Sequence, residues 1–299
     1  MRLAHLHLPG ITRFSRVSNI QQALTSAHLA HKKALAASRT DNSTLSSAPD
    51  PTIITFTPNP VYTTGRRDLP PSNTSSPSDP EPSPDLSLPP SLEPIRDLLT
   101  PKPPNSEPQA EYHPTLRGGQ TTYHGPGQLV AYTILDLRRM GLSPRCHIRL
   151  LENTVIDLVR GPYGVQGFTT NDPGVWVGKD AQTARKIAAV GVHLRRHISS
   201  YGVGINVTDE PLWYFRKIVA CGLEGREATS LQSEGVDVAA RKETIMDEVA
   251  RGFVEAFVER YRRDHPVGDG TGREGIDEVY QLSLEDVDAL QKETASGVV

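Results

Sequence analysis

The alternation of apolar and polar residues predicts strands at several places along the chain. Ala4, Leu6 and Leu8 alternate with polar positions, which is typical of a half-buried strand. β-branched and aromatic residues predict a second strand within 51–64, and the apolar run 129–137 predicts a central strand. Three further segments have the same character, namely 174–178, 185–194 and 201–207.

Apolar residues spaced three or four positions apart predict the helices. Ile20 and Leu24 lie on one face of a helix that follows the opening strand. Two longer helices are predicted over 146–160 and 241–261, and a short one over 211–219. Strands interspersed with helices indicate a single α/β or α+β domain.

One internal segment has a different composition. Residues 69–110 hold about half of the chain's 25 prolines, many serines and almost no aromatic or β-branched residues. Such a segment buries too little apolar surface to offset its ordering entropy, so we expect a disordered Pro/Ser-rich insertion. The C-terminal residues 263–299 are polar and are expected to form a tail.

Composition limits the classes of partner. Hydrophobic residues make up 36% of the chain, and the shortfall is concentrated in the predicted insertion, so the remainder can form a core. A net charge of −3 and the absence of any run of 18 apolar residues favour neither nucleic acid nor a membrane as partner. The two cysteines, Cys146 and Cys221, form no disulfide or zinc pattern, and we expect free thiols.

The N-terminal segment allows two interpretations. The first acidic residue is Asp41, and several basic residues precede it, as in a mitochondrial transit peptide. The strand and helix patterns of the same stretch favour a segment of the fold, which could also serve in targeting.

The residues 117–128 predict a binding loop. They include four glycines, one proline, Arg117 and His124, and a predicted strand follows directly. Glycine permits positive φ and a close approach of the backbone to a ligand. A pair of ordinary turns would explain isolated glycines, but this loop is long and carries side chains that can contact a ligand.

Cys221 and Lys186 are the candidate catalytic pair. A cysteine is a strong nucleophile only as a thiolate, and a nearby lysine either accepts its proton or stabilises the anion. His124 is a rival base or hydrogen-bond donor, although a lone histidine in a glycine-rich loop can simply order that loop. The sequence does not show whether Cys221 and Lys186 meet.

Several segments resemble the lipoyl(octanoyl) transferases, the LipB family of the biotin/lipoate protein ligase superfamily. The segments are Val61–Arg67, Arg117–Gln128, Lys186–Gly191, Gly202–Val207 and Ala220–Gly222. The resemblance implies one biotin/lipoate ligase-like domain, a mixed sheet packed with helices, formed by 1–68 and 111–262.

The resemblance also implies roles for individual residues. Cys221 matches the acyl-thioester nucleophile, and Lys186 matches the lysine that activates it. The implied acyl-binding residues are Arg117, Gly118, Gly119, Gln120, Thr121, Thr122, Tyr123, His124, Ala189, Val190, Gly191, Gly202, Val203 and Gly204. Ala220, Tyr201 and Ala189 depart from residues common in the family, which affects details of the pocket.

The implied reaction moves octanoate from octanoyl-acyl carrier protein to a lysine of a lipoyl domain. The implied acceptors are the lipoyl domains of 2-oxoacid dehydrogenases and the glycine cleavage H protein. Exchange of one thioester for another, followed by amide formation, requires neither ATP nor metal, so we expect no cofactor. The location implied is mitochondrial, or cytoplasmic for a bacterial chain.

Two alternatives remain at this point. An ATP-dependent lipoate or biotin ligase would need a phosphate-binding segment and would not need Cys221, and no such nucleotide signature is evident. A non-catalytic protein that binds lipoyl domains would have no use for both Lys186 and Cys221.

Overall fold

The computed structural model describes residues 1–38, 47–68, 87–101, 107–266 and 273–295. The strands are β1 (Arg2–Thr12), β2 (Thr52–Pro58), β3 (Val61–Thr64), β4 (Glu111–Pro114), β5 (Thr122–His124), β6 (Gln128–Ile134), β7 (Gly167–Phe168), β8 (Val175–Val177), β9 (Arg185–Arg195), β10 (Ile198–Asn206) and β11 (Glu278–Gln281). The α-helices are α1 (Phe14–Ser38), α2 (Arg96–Leu99), α3 (Pro144–Arg160), α4 (Glu210–Phe215), α5 (Ile245–Asp264) and α6 (Leu284–Ala295).

Eight strands form one mixed sheet in the order β11-β1-β2-β6-β10-β9-β8-β7. β1 pairs in parallel with β2 and β11, whereas β6 pairs antiparallel with β2 and β10. All seven residues of β6 are buried, which confirms the predicted central strand. A smaller sheet of order β4-β3-β5 carries one end of the glycine-rich loop.

The large sheet separates two apolar layers. Because successive side chains of a strand point to opposite faces, Leu129 and Ala131 of β6 enter one layer and Val130 and Tyr132 the other. Helices α3 and α5 pack together over the first layer, and α1 covers the second. The mixed α/β architecture predicted from the sequence is therefore present. None of the helices within the described ranges is long and apolar enough to cross a membrane.

The prediction of a disordered insertion over 69–110 is wrong for the residues that the structure describes there. Leu92, Ile95 and Leu99 are buried and pack with Tyr62 and Tyr123 in a third apolar cluster. Their spacing of three and four residues gives one apolar face, a signal that the surrounding prolines obscured. Residues 69–86 and 102–106 lie outside the described part.

The predicted polar tail also belongs to the domain. Helix α5 continues to Asp264, and β11 extends the large sheet by pairing with β1. Val287 of α6 is fully buried in the layer beneath α1. A short parallel strand with exposed side chains has little hydrophobic pattern, so only the pairing with β1 identifies it. Residues 267–272 and 296–299 lie outside the described part.

We expect Leu92→Ala to reduce the free energy of unfolding by about 2–5 kcal/mol, because it removes a fully buried side chain. Asp97→Ala is the matched control, since Asp97 is exposed in the same segment, and its effect should stay within about 0.5 kcal/mol. Denaturant unfolding measures both values. Equal unfolding midpoints for the two variants would show that the segment does not pack against the domain.

Candidate active site

The glycine-rich loop lies on the large sheet and buries an arginine. Gly118 N donates to Val192 O at 2.9 Å, which holds the loop against β9. The Arg117 guanidinium is buried, and its Nη2 donates to the carbonyl and hydroxyl oxygens of Thr63 at 2.8 and 2.9 Å. No described carboxylate forms an ion pair with it. Burial lowers the pKa of Arg117, and negative charge on Cys221 acts in the opposite direction. A buried cation therefore lies within electrostatic range of the thiol.

Asp68 fixes the middle of the loop. One carboxylate oxygen accepts from both the backbone N and the hydroxyl of Thr121, each at 2.6 Å. Ser91 of the ordered insertion segment also bonds the Thr121 hydroxyl, at 2.7 Å. These bonds hold the Thr121 side chain in place, while its backbone carbonyl accepts from Cys221 N at 2.8 Å.

Cys221 lies in a single 3-10 turn, Ala220–Gly222, that follows α4. Its φ of 56° is in the left-handed region, which costs a non-glycine residue about 1–2 kcal/mol. The free thiol is half-buried, and its Sγ lies 3.9 Å from Thr122 Oγ1. The next residue, Gly222, also has positive φ, and a Cβ there would overlap the Gln120 amide. The turn therefore presents the thiol beside the loop at a local conformational cost.

Lys186 of β9 occupies an environment that disfavours its charged form. Its Nζ donates to Pro173 O at 3.1 Å and lies 4.6 Å from the centre of the Trp176 ring. The Arg226 guanidinium lies 4.4 Å from the centre of the same ring. Burial is the main cause that lowers the pKa of Lys186; Arg226 adds to it, while negative charge on Cys221 and Asp172 opposes it.

His124 lies on the same face of β5 as Thr122, because side chains alternate along a strand. The ring is buried, and its Nδ1 lies 3.0 Å from Gln128 Oε1. Gln128 Nε2 in turn donates to Asn206 Oδ1 at 2.7 Å. Burial, together with the charge of Arg117, lowers the pKa of His124 to about 4. The imidazole is therefore neutral near pH 7.

Two cavities meet at the thiol. The first, of about 350 Å³, lies between the loop and strands β6, β9 and β10. The second, of about 230 Å³, lies on the side of α4. Five of the residues that line both cavities are Thr122, His124, Lys186, Ala189 and Cys221. The structure thus places Cys221 and Lys186, which are distant in sequence, around one space.

The first cavity is lined by all of the proposed acyl-binding residues except Thr121 and Tyr123. Thr121 is held by Asp68, as described above. The Tyr123 ring stacks on Tyr214 of α4, with centroids 4.2 Å apart, and packs in the third apolar cluster. Residues 121 and 123 alternate with 122 and 124 along the chain, so Thr121 and Tyr123 lie outside the first cavity, and Tyr123 borders the second cavity instead.

Several site residues were missed by the sequence-based prediction. They are Asp68, Gln128, Trp176, Asn206 and Arg226. Asn206 carried a usable signal, because a polar side chain at the end of an apolar strand requires a buried partner. The other contacts join residues that are far apart in sequence, and no local pattern indicates them.

Comparisons with known proteins agree on the family of the site. A family model described as the lipoyl protein ligase A/B catalytic domain matches residues 99–257. The Schizosaccharomyces pombe protein named "Probable octanoyltransferase" is 40% identical over 189 residues, 63% of this chain and 70% of that protein. The mitochondrial octanoyl-acyl-carrier-protein:protein N-octanoyltransferase of Danio rerio is 40% identical over 152 residues, 51% of this chain and 62% of that protein.

A solved structure has the same fold. The bi-partite lipoate protein ligase of Thermoplasma acidophilum, studied with its E2 lipoyl domain, superposes with a TM-score of 0.52. The match covers 99% of this chain and 91% of that chain at 14% identity, so the similarity concerns the fold alone.

We expect Gly222→Ala to slow alkylation of Cys221 by iodoacetamide, because the new Cβ displaces Gln120 at the edge of the first cavity. Gly225→Ala is the matched control, since Gly225 has the same φ of 69° and open space around its Cα. Both variants should lose about 1–2 kcal/mol of stability through backbone strain.

The alkylation is followed by intact mass in a Cys146→Ser background, which leaves one thiol in the chain. Equal alkylation rates for the Gly222 and Gly225 variants would contradict the role assigned to Gln120.

Proposed function

We propose that this chain, which belongs to the lipoyl protein ligase A/B catalytic-domain family, transfers an octanoyl group from an acyl carrier protein to a lipoyl-domain lysine. The observation that carries the proposal is a half-buried free thiol at the junction of two cavities, with Lys186 beside both. The octanoyltransferase names of the relatives from Schizosaccharomyces pombe and Danio rerio support the choice of acyl group.

The first cavity suits a thin acyl chain. Its apolar lining includes Val130, Tyr132, Val190, Val192 and Val203. Each methylene group buried contributes roughly 0.8 kcal/mol, so the six methylenes of an octanoyl chain contribute about 5 kcal/mol in total. A Cβ at Gly204 would lie 2.9 Å from His124 Cε1, so glycine at this position of β10 leaves room for the His124 ring beside the cavity.

In the first step, the Cys221 sulfur attacks the thioester carbonyl of the donor. Neutral Lys186 accepts the thiol proton, a new C–S bond forms, and the bond to the donor's sulfur breaks. The Lys186 ammonium then returns the proton to the departing thiolate. The acyl chain occupies the first cavity, and the donor's arm occupies the second, because both of these spaces reach the Cys221 thiol.

In the second step, the amine of the acceptor lysine enters the space that the donor's arm has left. Its nitrogen attacks the Cys221 thioester, a C–N bond forms and the C–S bond breaks. Lys186 takes the proton that the nitrogen loses and passes it to the Cys221 thiolate. Burial lowers the pKa of Lys186, which supports a role for its neutral amine in both steps.

The carrier protein docks on a basic surface beside the first cavity. We call this surface the basic ridge and define it by Arg66, Arg67, His193, Arg195 and Arg196. Burial, Arg66 and Arg195 all lower the pKa of His193, which places both arginines near this ring. The four arginines are exposed, and none forms an ion pair with a described residue. Acyl carrier proteins are acidic, so their charge complements this surface.

A third pair of adjacent arginines, Arg138–Arg139, differs from the two pairs of the basic ridge. Arg139 binds Glu274 through two nitrogens, each at 2.9 Å, and also donates to Pro49 O. Because that guanidinium already has protein partners, we omit the pair from the basic ridge.

The acceptors are lipoyl domains of 2-oxoacid dehydrogenases and the glycine cleavage H protein. The Thermoplasma acidophilum ligase was studied with an E2 lipoyl domain, which supports this class of partner. The name of the Danio rerio relative includes a mitochondrial location, and the same location is proposed here, with the cytoplasm as the bacterial equivalent.

Mixing the protein with octanoyl-acyl carrier protein, without ATP, should add one octanoyl group to Cys221, as read by intact mass. Cys221→Ala should abolish the adduct, whereas Cys146→Ser should retain it because Cys146 is exposed at the start of α3, outside both cavities. Transfer to a lipoyl domain that requires ATP and survives Cys221→Ala would instead identify an acyl-adenylate ligase.

We expect Arg195→Glu and Arg66→Glu each to raise the KM for octanoyl-acyl carrier protein about 2–5-fold, because each reversal repels an acidic carrier. The kcat should remain close to that of the wild-type protein. Arg251→Glu is the matched control, since Arg251 is exposed on α5 and away from the basic ridge. If the KM of these variants equals that of Arg251→Glu, the basic ridge is not the docking surface.

A further inference from the structure

We infer that His124 accepts an N–H hydrogen bond from the attacking lysine amine at its Nε2 atom and so orients that amine. A hydrogen-bonded chain through Gln128 and Asn206 holds Nε2 as an acceptor. The role rests on the octanoyl transfer proposed above, whereas the protonation pattern of the ring follows from the structure itself.

Backbone carbonyls next to Asn206 determine the direction of donation along this series of hydrogen bonds. Asn206 Nδ2 lies 2.8 Å from Thr229 O and 3.5 Å from Lys186 O. A carbonyl oxygen only accepts, so the Asn206 amide nitrogen must face it, and Asn206 Oδ1 faces Gln128.

The orientation of the Gln128 amide determines which of its atoms faces His124. Its Nε2 lies 2.7 Å from Asn206 Oδ1 and 3.5 Å from the carbonyl of Tyr123, and both of these atoms are acceptors. The Gln128 amide oxygen is therefore the atom that faces His124, at 3.0 Å from Nδ1. An amide oxygen cannot donate, so the proton of this bond is on Nδ1.

The ring carries only that proton. Burial and the nearby Arg117 guanidinium lower the pKa of His124 to about 4, while the bond to Gln128 acts weakly in the other direction. Among the residues that line both cavities, the other titratable groups are Lys186, whose pKa is lowered by burial, and Cys221. A neutral imidazole with its proton on Nδ1 has an unshared electron pair on Nε2.

The ring is placed at the reacting centre. His124 borders both cavities, and Thr122 on the same face of β5 contacts the thiol. A Cβ at Gly204 would lie 2.9 Å from His124 Cε1, so glycine at this position lets the ring lie against β10. No described residue hydrogen-bonds Nε2, and the atom is not sealed from solvent.

This arrangement changes the chemistry open to His124. An Nε2 lone pair cannot donate a hydrogen bond, so His124 is not a donor to the oxyanion of a tetrahedral intermediate. It can accept one N–H of the incoming amine, which leaves the amine's own lone pair to attack the thioester carbonyl. The C–N bond then forms, the bond to Cys221 breaks, and the proton goes to Lys186. A thiolate nucleophile has no N–H and gains nothing from this contact.

The first test is a ¹⁵N NMR spectrum of the histidine-labelled protein near pH 7. The resonance of His124, assigned by its loss in His124→Gln, should show Nε2 unprotonated and Nδ1 protonated. A protonated Nε2 would overturn the inference, and this measurement does not depend on the transfer reaction.

The second test compares two nucleophiles on the preformed octanoyl-enzyme, a lipoyl domain and pantetheine. In His124→Phe the ratio of the amine rate to the thiol rate should fall about tenfold, the effect of one lost hydrogen bond. His124→Gln should recover part of the ratio, because its amide oxygen can reach the same position.

An unchanged ratio in both variants would reduce His124 to a structural residue. Failure of the wild-type protein to form any octanoyl-enzyme is a different result, which would remove the proposed function itself and this role of His124 with it.

Discussion

The backbone hydrogen bond from Cys221 N to Thr121 O joins the two parts of the site. One part is the glycine-rich loop, which Asp68 and the contact of Gly118 with β9 hold on the large sheet. The other is the turn after α4, in which Cys221 adopts positive φ. This single hydrogen bond therefore fixes the position of the nucleophile relative to the acyl cavity. The burial of Thr121 at 1% exposure protects that bond from competition with water.

The second constraint is electrostatic. Arg117 is a buried cation, and Lys186 and Arg226 share one indole ring, yet none of the three forms an ion pair within the described residues. Uncompensated positive charge in a region of low dielectric is costly, and burial accordingly lowers the pKa of Lys186. Loss of the Lys186 proton gives the amine that accepts the thiol proton in the proposed reaction, so the burial that destabilises this cation favours that step.

The ordered part of the Pro-rich segment contributes to this geometry. Ser91 bonds the Thr121 hydroxyl, and Leu92 packs in the cluster that contains Tyr62, Tyr123 and residues of α4. The segment thus supports both sides of the Cys221–Thr121 bond. Insertions usually lie on the surface and leave the core unchanged. Here the insertion supplies part of a small apolar core behind the active site.

The sequence by itself determined the elements and the chemical groups. The apolar run of β6, the helical periodicity of α3 and α5, and the motifs around Arg117, Lys186 and Cys221 are local patterns. Such patterns depend on backbone geometry within a few residues and can be read directly. The tertiary structure decided the rest. It ordered the insertion, added β11 to the sheet, and turned Thr121 and Tyr123 away from the acyl cavity. It also formed the series of hydrogen bonds from His124 through Gln128 and Asn206 to Thr229. Each of these depends on contacts between residues far apart in sequence, whose geometry no local pattern specifies, and hydrogen-bond direction is fixed only when every partner is in place.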